Sequence, residues 1–308
     1  MVTGAAGFVG HNLVKSLIKD GHIVACIDAL IDTTYSARIK KKRWEELRKL
    51  NGTEMFQLDL RFDNLHEPLS EGDVLIHAAA VPGLLLSWEN FDLYASCNLT
   101  ATQKLVESLL ETNPLMNFVH ISTSSVYGLI ADGDETSVLN PVSPYGVTKL
   151  SAEKIIQAYA ANYALRFTIL RYFSIYGPDQ RSDMAYGRFI ESIYYGRPIT
   201  IFGDGLQSRT NTFISDCVNA TIQMSMIESE NEIYNLSGKS QVNVLEVIEI
   251  LEGLLQKKAT LEFKPARPGD QISTSGRIEK IKNRIGYEPK ISIHEGLRMQ
   301  VEKFLNDH

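Results

Sequence analysis

The sequence has few of the features that mark secreted, metal-binding or membrane proteins. It contains only three cysteines in 308 residues, Cys26, Cys97 and Cys217, and their spacing fits neither a disulfide framework nor a metal motif. It has no apolar run of membrane-spanning length and no charged N-terminal region followed by an apolar one. Internal repeats, linkers and low-complexity stretches are also lacking. We therefore expect a cytoplasmic globular protein without a bound metal or a membrane partner.

The chain also has fewer basic than acidic residues. The chain has 31 lysines and arginines against 37 acidic residues, which gives a net charge of -6. Proteins that bind nucleic acid usually present a strongly basic surface. The acidic balance argues against a nucleic-acid partner, so an anionic ligand has to be held by a few placed arginines. A hydrophobic fraction of 44% is sufficient for the core of one or two domains.

A glycine-rich turn near the N-terminus predicts a nucleotide site. Gly4, Gly7 and Gly10 precede an apolar repeat at helical spacing, and the next apolar run ends in Asp28. Glycines let the backbone approach a pyrophosphate, and the helix N-terminus offers free N–H groups. A carboxylate at Asp28 binds the adenosine ribose and repels a 2′-phosphate, which favours NAD over NADP. Only residues 1–3 precede the glycines, so we expect a shortened first strand and native residues missing before it.

The alternation of strands and helices continues through the first half of the chain. Apolar strands end in Asp59, in Ala78 to Ala80 and in a run of hydroxyl residues after Ile121. This order predicts an α/β fold with a Rossmann-type, doubly wound parallel sheet. We interpret His77 and His120, which lie inside strands, as satisfied core histidines. The basic run at residues 38–43 is interpreted as a solvated helix face.

Tyr145 and Lys149 are the candidate catalytic pair. They lie four residues apart at the start of a helical segment, so their side chains share one helix face. A nearby ammonium favours the phenolate, which makes the tyrosine usable as a base near neutral pH. Thr123 and its neighbours place hydroxyls at the end of a strand, where ligands bind in such sheets. A Tyr–Lys pair is by itself more typical of a solvated helix surface, and the nucleotide motif favours the catalytic interpretation.

Several motifs taken together resemble the extended short-chain dehydrogenase/reductases, the family of nucleotide-sugar epimerases and dehydratases. The matching stretches are Thr3 to Gly10, His77 to Ala80, Ser122 to Gly128, Tyr145 to Lys149, Arg171 to Phe173, Gly203 to Gly205, Asp216 and Arg267 to Asp270. The resemblance covers nearly the whole chain. It implies that bound NAD is reduced and reoxidised within one turnover. It also implies that Tyr145 takes the proton from the sugar 4-hydroxyl while hydride leaves C4, and that hydride returns to the other face.

The resemblance also implies which residues form the site. The catalytic residues are Thr123, Tyr145 and Lys149. The cofactor-binding residues are Gly4, Gly7, Phe8, Val9, Gly10, Asp28, Asp59, Leu60, Ala78, Ala79, Asn98, Tyr145, Lys149 and Tyr172. The residues that bind the UDP-sugar are Thr123, Ser124, Ser174, Arg181, Thr200, Phe202, Arg209, Arg267 and Asp270. Among these, Arg209 and Arg267 match arginines that hold the diphosphate.

The substrate is expected to be UDP-glucuronate, which would be epimerised to UDP-galacturonate. Ser124 and Ser125 stand where related dehydratases and decarboxylases carry acids, and the chain looks most like bacterial UDP-glucuronate 4-epimerases. Ser174 and Arg181 are suited to a sugar carboxylate. The residues after Gly83, which are leucines in place of a frequent arginine, and an altered loop after Arg209 leave a UDP-glucose or UDP-N-acetylglucosamine 4-epimerase open. A UDP-glucuronate decarboxylase and an NAD-sensing binding protein of the same fold are open as well.

The chain is expected to divide into two lobes. Residues 1–170 form the NAD-binding Rossmann domain, with a returning segment near 212–227, and residues 171–308 form a smaller α/β lobe that binds the UDP-sugar. The resemblance implies a homodimer built on the helices that contain Leu105 and Ile155. The apolar Leu105, Leu109, Ile155 and Tyr159 fit that interface, and core packing within one subunit explains them equally well.

Overall fold

The structure, a computed structural model, describes residues 1–181 and 183–308. Its strands are β1 (Val2–Thr3), β2 (Val24–Ile27), β3 (Thr53–Phe56), β4 (Val74–His77), β5 (Asn117–Thr123), β6 (Ile130–Ala131), β7 (Phe167–Tyr172), β8 (Ile175–Tyr176), β9 (Ile199–Phe202), β10 (Ser208–Thr210), β11 (Thr212–Phe213), β12 (Glu232–Leu236), β13 (Gln241–Asn243), β14 (Leu261–Lys264) and β15 (Ser273–Thr274). Its α-helices are α1 (Phe8–Lys19), α2 (Ala37–Arg48), α3 (His66–Ser70), α4 (Leu85–Glu89), α5 (Phe91–Tyr94), α6 (Ala101–Thr112), α7 (Pro144–Asn162), α8 (Ala185–Tyr195), α9 (Ile214–Ser225), α10 (Val244–Leu255), α11 (Glu279–Ile285) and α12 (Ile293–Asp307). A π-helical turn (Ala95–Thr100) precedes α6, and a 3₁₀ turn (Ser124–Val126) follows β5.

The central sheet has seven strands in the order β3-β2-β1-β4-β5-β7-β12. Every neighbouring pair is parallel. The order reverses between β1 and β4, which makes the sheet doubly wound and confirms the predicted fold class. In such sheets ligands bind at the carboxyl ends of the strands beside this switch point.

Each face of the central sheet is covered by helices that bury a separate apolar cluster. On one face, α1 and α9 pack against the sheet, and Val14, Val119 and Val218 lie in the same core. On the other face, α6 and α7 contribute Leu105 and Ile156 to a second core. The strands are buried on both sides, which is why they read as continuous apolar runs in the sequence.

Short strands and helices outside the central sheet follow β7 in the chain. Together with β6, these strands form a four-stranded sheet in the order β13-β10-β15-β6 and the two-stranded pairs β11-β8 and β14-β9. Helix α9 packs against α1, and β12 adds a further strand beside β7. The position of β12 in the central sheet was not expected from the sequence.

Helix boundaries follow local chemistry. Ser36, Ser143 and Ser292 cap α2, α7 and α12 by accepting hydrogen bonds from backbone N–H groups of the first turn. Pro144 occupies the first turn of α7, where its missing N–H costs nothing. These caps fix where α7 begins, and therefore where Tyr145 and Lys149 lie.

The first strand is short, as predicted. Val2 and Thr3 pair with β2 on one side and β4 on the other. The Met1 ammonium donates a hydrogen bond to the Val74 carbonyl oxygen at 2.8 Å. In the described ranges, no helix combines the length and the apolar character needed to cross a membrane.

Two interpretations of helical residues need correction. Lys40 and Arg43 of the basic run are buried, because α2 turns them toward the first glycine turn and the loop after β8. Only part of that run is therefore a solvated face. Leu105 and Leu109 are fully buried inside the subunit core, so they are core residues and not interface residues.

Candidate active site

A cleft of about 790 Å³ lies along the carboxyl ends of the central strands and extends to Arg209 and Arg267. Its walls include residues that follow β1, β2, β4, β5 and β7 in the sequence. Most of the predicted site residues line it. The exceptions are Asn98, Thr200 and Phe202.

The glycine turn after β1, here called the glycine cradle, packs too closely on neighbouring backbone to admit a side chain at Gly4 or Gly10. Gly4 adopts φ +68°, and a Cβ there would lie 2.7 Å from the Ala79 nitrogen. A Cβ on Gly10 would overlap the carbonyl oxygen of Gly4. Helix α1 starts without a side-chain cap, so its first N–H groups face the cleft. This is the local geometry that a pyrophosphate requires.

Asp28 lies where an adenosine ribose is expected. Its carboxylate accepts hydrogen bonds from the backbone N–H groups of Ala6 at 3.1 Å and Leu30 at 2.9 Å. These bonds fix the carboxylate at the end of β2. Lys40 and Tyr35 line the same part of the cleft, with the ammonium 5.7 Å from the ring centroid. The cleft therefore offers a cation as well as a carboxylate here, which sequence reasoning missed.

Asp59 is held by Arg61. Its carboxylate accepts from Arg61 Nε at 2.9 Å and Nη2 at 2.7 Å, and these hydrogen bonds lower the pKa of Asp59. Both residues line the cleft beside Leu60. The resemblance assigns Asp59 to the cofactor. In this structure its oxygens are occupied by a neighbour two residues away.

Asn98 supports the site from behind. It lies in the π-helical turn, is fully buried, and donates to the Val81 carbonyl oxygen at 3.0 Å and to Thr148 Oγ1 at 3.2 Å. The side-chain oxygen Oδ1 of Asn98 accepts a hydrogen bond from the Val81 N–H at 2.7 Å. Asn98 thereby ties the loop after β4 to helix α7. The π-helical turn gives the helix the bulge that such sites often contain.

Tyr145 and Thr123 face each other across the cleft floor. Burial raises the pKa of the Tyr145 phenol, while the neighbouring Thr123 hydroxyl and the charge of Arg181 act to lower it. Thr123 Oγ1 also accepts from the Ser125 N–H at 3.2 Å, which fixes its position in the 3₁₀ turn. Tyr94 packs edge-on against Tyr145, with 6.1 Å between ring centroids. The phenol therefore sits in a defined position beside a hydroxyl donor.

Lys149 contacts β5 in this structure. Its Nζ donates to the Ile121 carbonyl oxygen at 2.7 Å and lies 3.2 Å from His120 Nε2. Burial lowers the pKa of Lys149 to about 8, and the charge of Glu153 acts in the opposite direction. The Tyr145 pKa stays raised by burial, and the groups that oppose this rise are Thr123 and Arg181, not the Lys149 ammonium that we expected.

The two core histidines differ in the hydrogen-bond partners of their ring nitrogens. His77 makes hydrogen bonds through both ring nitrogens, to Thr3 Oγ1 at 2.8 Å and Thr102 Oγ1 at 3.0 Å, and is the satisfied core histidine that we expected. His120 is buried too, but its Nδ1 has no partner among the described residues and its Nε2 contacts Lys149. That contact brings it to the edge of the site.

A group of hydroxyls and one arginine surrounds the space next to Tyr145. Ser124, Ser125 and Ser174 all line the cleft. Arg181 lies there too, bonded to Asp183 through Nε at 2.9 Å and Nη2 at 2.8 Å. No carboxylate follows Thr123 in the 3₁₀ turn, so the hydroxyls and the guanidinium set the character of this end of the cleft.

The opposite end carries Arg209, Arg267 and Asp270. Burial lowers the pKa of both arginines and raises that of Asp270. Arg209 Nη2 donates to the Gln271 carbonyl oxygen at 2.5 Å, and the Gln271 amide donates to Ser124 and Gly128 carbonyl oxygens at 3.2 and 2.8 Å. Both arginines line the cleft, and Gln271 links Arg209 to the turn after β5.

Thr200 and Phe202 do not reach the cleft. They lie in β9, which pairs with β14. The Arg267 guanidinium stacks over the Phe202 ring, with its Cζ 3.4 Å from the ring centroid. Phe202 is placed to orient Arg267. Among the described residues, Thr200 is not part of the cleft wall.

Several cleft residues were not expected from the sequence. Besides Tyr35, Lys40, Arg61 and Gln271, these include Arg188. Leucines 84–86, which the sequence had connected with the choice of substrate, line the cleft too. Arg61 carried a local signal, because it follows Asp59 by two residues. Lys40 and Gln271 carried none, since only tertiary packing brings them to the cleft.

Comparison with known proteins gave consistent matches. The sequence model described as NAD dependent epimerase/dehydratase family matches residues 1–237. The chain is 39% identical over 305 residues to a Bacillus subtilis protein named as an uncharacterized UDP-glucose epimerase, with 98% of this chain and 96% of the relative covered. It is 38% identical over 307 residues to the UDP-glucuronate 4-epimerase of Thermodesulfobacterium geofontis, with coverage of 98% and 94%. Among solved structures, the Bacillus cereus UDP-glucuronic acid 4-epimerase in complex with UDP-glucuronic acid and NAD superimposes with a TM-score of 0.95 at 36% identity, covering 100% of this chain and 99% of that one.

Proposed function

The chain belongs to the NAD dependent epimerase/dehydratase family, and on that premise we propose that it epimerises a UDP-sugar at C4, with UDP-glucuronate and UDP-galacturonate as the pair. The observation that carries the proposal is the grouping of Thr123, Tyr145 and Lys149 on the same cleft as the glycine cradle. A proton-transfer group beside a nucleotide cradle is what reversible oxidation of a hydroxyl requires.

The cradle fits NAD. Gly4 and Gly10 let the turn pack closely, because a Cβ at either position would overlap neighbouring backbone atoms, and the uncapped start of α1 supplies N–H groups for the pyrophosphate. Asp28 is fixed to accept hydrogen bonds from the adenosine ribose, and Lys149 has an N–H free to face the cleft. When bound there, NAD supplies a hydride acceptor that returns the hydride within the same turnover.

Tyr145 is assigned the proton transfer. Its phenolate accepts the proton of the sugar 4-hydroxyl and returns it after the hydride comes back, so the reaction leaves no net change in protons. Thr123, whose hydroxyl donates to Ser125 Oγ at 3.2 Å in this structure, is assigned the role of holding the sugar oxygen beside the phenolate. Lys149 positions the cofactor ribose and adds positive charge near the phenolate.

The assignment of UDP-glucuronate rests on the polar groups around the sugar end. Ser124, Ser174 and Arg181 supply hydroxyl and guanidinium donors, which suit a carboxylate at C5 of the sugar. Arg209 and Arg267 suit the diphosphate, with Asp270 close by. The relatives named as UDP-glucuronate 4-epimerases support the same choice.

A neutral UDP-sugar is the second candidate. Leucines 84–86 give the cleft an apolar wall, and Arg181 is already bonded to Asp183. The similarity to the Bacillus subtilis protein favours UDP-glucose as this alternative.

The test is to incubate the purified protein separately with UDP-glucuronate, UDP-glucose and UDP-N-acetylglucosamine and to follow products by proton NMR without added reductant. We expect UDP-galacturonate from UDP-glucuronate and no conversion of the other two. Conversion of a neutral sugar alone would replace the acid-specific assignment with the second candidate. Release of carbon dioxide and a UDP-pentose would identify a decarboxylase, and a protein inert with all three would favour an NAD-sensing role.

Two further proposals concern the whole protein. We propose a homodimer that uses the partly exposed side of α7, where Ile155 and Tyr159 lie, and a cytoplasmic location. The free state of all three cysteines supports a reducing compartment. Light scattering of the purified protein tests the first proposal, and fractionation of cells tests the second.

A further inference from the structure

His120 and its neighbour Ile121 hold two of the three N–H groups of the Lys149 ammonium. Nζ donates to the Ile121 carbonyl oxygen at 2.7 Å and lies 3.2 Å from His120 Nε2. Lys149 is 2% exposed and His120 is fully buried. An ammonium has three donors and no acceptor. With two donors directed to β5, one remains for the cleft that Lys149 lines.

The second nitrogen of His120 is left without a partner. Among residues 1–181 and 183–308, Nδ1 makes no hydrogen bond. An ammonium cannot accept, so Nε2 must be the acceptor and a neutral imidazole must carry its proton on Nδ1. A buried N–H without a partner is costly. The fold tolerates this cost at His120, whereas both nitrogens of His77 on the adjacent strand are satisfied.

The other charged or titratable groups around Lys149 do not replace His120. Glu153 lies one helical turn further along α7, but its carboxylate is bound by Arg171 from β7 and by the Ser122 hydroxyl. Tyr145 lies one turn before, and His77 on β4 has both ring nitrogens bonded to Thr3 and Thr102. Burial and the charge of Lys149 hold the pKa of His120 well below its usual range, so its ring stays neutral. The direct acceptors of the ammonium are therefore the two groups on β5.

We propose that His120 is a positioning residue for the reaction: its neutral imidazole accepts a hydrogen bond from Lys149, keeps that lysine protonated at neutral pH and directs its third N–H into the cleft. The proposal rests on the proposed function, because that function gives Lys149 its role beside the cofactor. His120 itself touches neither cofactor nor sugar.

The first test uses the wild-type protein. Long-range ¹H–¹⁵N NMR of histidine-labelled protein reports the tautomer of each imidazole, and His120→Gln assigns the His120 signals by removing them. We expect a neutral ring with the proton on Nδ1 from pH 6 to about 7, where Lys149 is an ammonium. An imidazolium, or a proton on Nε2, would overturn the proposal.

The second test measures the lysine. With ¹³Cε-labelled lysine and Lys149→Met for assignment, we expect the pKa of Lys149 to fall by about one unit or more in His120→Phe, a tenfold change in its protonation equilibrium. His120→Gln keeps an acceptor and should recover at least half of the shift. His77→Gln alters the neighbouring buried ring without touching Lys149 and is the matched control. An unchanged lysine in His120→Phe, or an equal fall in His77→Gln, would overturn the proposal.

Kinetics separate this proposal from the assigned activity. In His120→Phe the alkaline limb of kcat/KM should move to lower pH by the same shift that NMR reports, and His120→Gln should restore it. A wild-type protein without epimerase activity would refute the proposed function, while the NMR tests still decide the role of His120. An active His120→Phe with the wild-type pH profile and lysine pKa would refute only the role of His120.

Discussion

Glu153 and Arg171 form a buried bidentate ion pair behind the proposed catalytic lysine. Arg171 Nη2 lies 2.8 Å from Glu153 Oε2, and Arg171 Nε lies 3.1 Å from Oε1. The Ser122 hydroxyl donates to the same carboxylate, and Arg171 Nη1 donates to the Tyr127 hydroxyl at 2.9 Å. The pair therefore joins α7, β5 and β7 where these elements meet at the site.

Removing one partner of this ion pair should strongly destabilise the folded protein. Glu153→Gln leaves the buried guanidinium uncompensated, so we expect a loss of about 3 to 5 kcal/mol in the free energy of unfolding. Urea unfolding at pH 7 measures it. The exposed pair of Arg298 and Glu302 supplies the control, since Glu302→Gln should cost only about 0.5 kcal/mol. If the two variants lost equal stability, the pair would not have the role assigned here.

Tyr145→Phe should stop turnover and leave the cofactor bound. The phenol is the group that moves the proton, and general acid–base groups contribute about 10² to 10⁴-fold to a rate. We expect kcat to fall at least about a thousandfold, within that range, with NAD retained on purification. Tyr94→Phe removes a hydroxyl 2.9 Å from the Pro82 carbonyl oxygen and should cost less than about tenfold. A Tyr145→Phe enzyme with a tenth of normal activity would contradict the assigned role.

The parts of the fold that sequence predicted are those encoded by neighbours in the chain. The turn from Gly4 to Gly10, the acid at Asp28 and the pair of Tyr145 and Lys149 all depend on spacing within one strand–turn–helix unit. Each such unit has its own apolar periodicity and its own turn residues, so the parallel sheet follows from the alternation of strands and helices. The return of β12 to the sheet edge had no local signature, because a short apolar strand fits either lobe.

The less predictable site residues are those whose neighbours are distant in sequence. Lys40 reads as one of several surface cations until α2 is packed against the cleft. Leu105 fits both a dimer contact and a core, and the choice depends on how α6 packs on the sheet. The contact of His120 with Lys149 links residues 29 positions apart. Spacing alone cannot distinguish such a contact from ordinary burial.

Activity should fall above about pH 8. The folded-state pKa of Lys149 is lowered to about 8 by burial, so the ammonium is present below that pH and is lost above it. We expect kcat/KM to drop about tenfold for each pH unit beyond this point. The measurement is a pH profile from 6 to 10, with circular dichroism at each pH to show that the protein remains folded. A profile that is flat to pH 9.5 would mean that the protonated lysine is not required.

Gly10→Ala should remove NAD from the protein. A Cβ at this position would overlap the Gly4 carbonyl oxygen, so the turn between β1 and α1 cannot keep its shape. Bound NAD after acid release, quantified by absorbance, should fall at least about tenfold, which corresponds to about 1.4 kcal/mol in binding. Gly253→Ala makes the same change in α10, where a Cβ meets nothing within 4 Å, and should stabilise the helix by roughly 0.5 to 1 kcal/mol. Normal NAD content in Gly10→Ala would disprove the cradle.

Arg181 should distinguish acidic from neutral substrates. Its guanidinium lines the cleft next to Tyr145, where a sugar carboxylate is expected to lie, and a hydrogen bond to a charged group contributes about 1.5 to 3 kcal/mol. Arg181→Ala should therefore raise KM for UDP-glucuronate by about 10 to 150-fold, while binding of UDP-glucose, measured by calorimetry, changes by less than threefold. Arg181→Lys keeps the charge without the planar fork, so its KM for UDP-glucuronate should lie between those of the wild type and Arg181→Ala. Asp183→Asn frees the arginine from its bidentate partner, so it should lower KM for the acid. An equal loss for both sugars in Arg181→Ala would instead assign the arginine to holding the loop through Asp183 and the Tyr35 ring, 5.8 Å away.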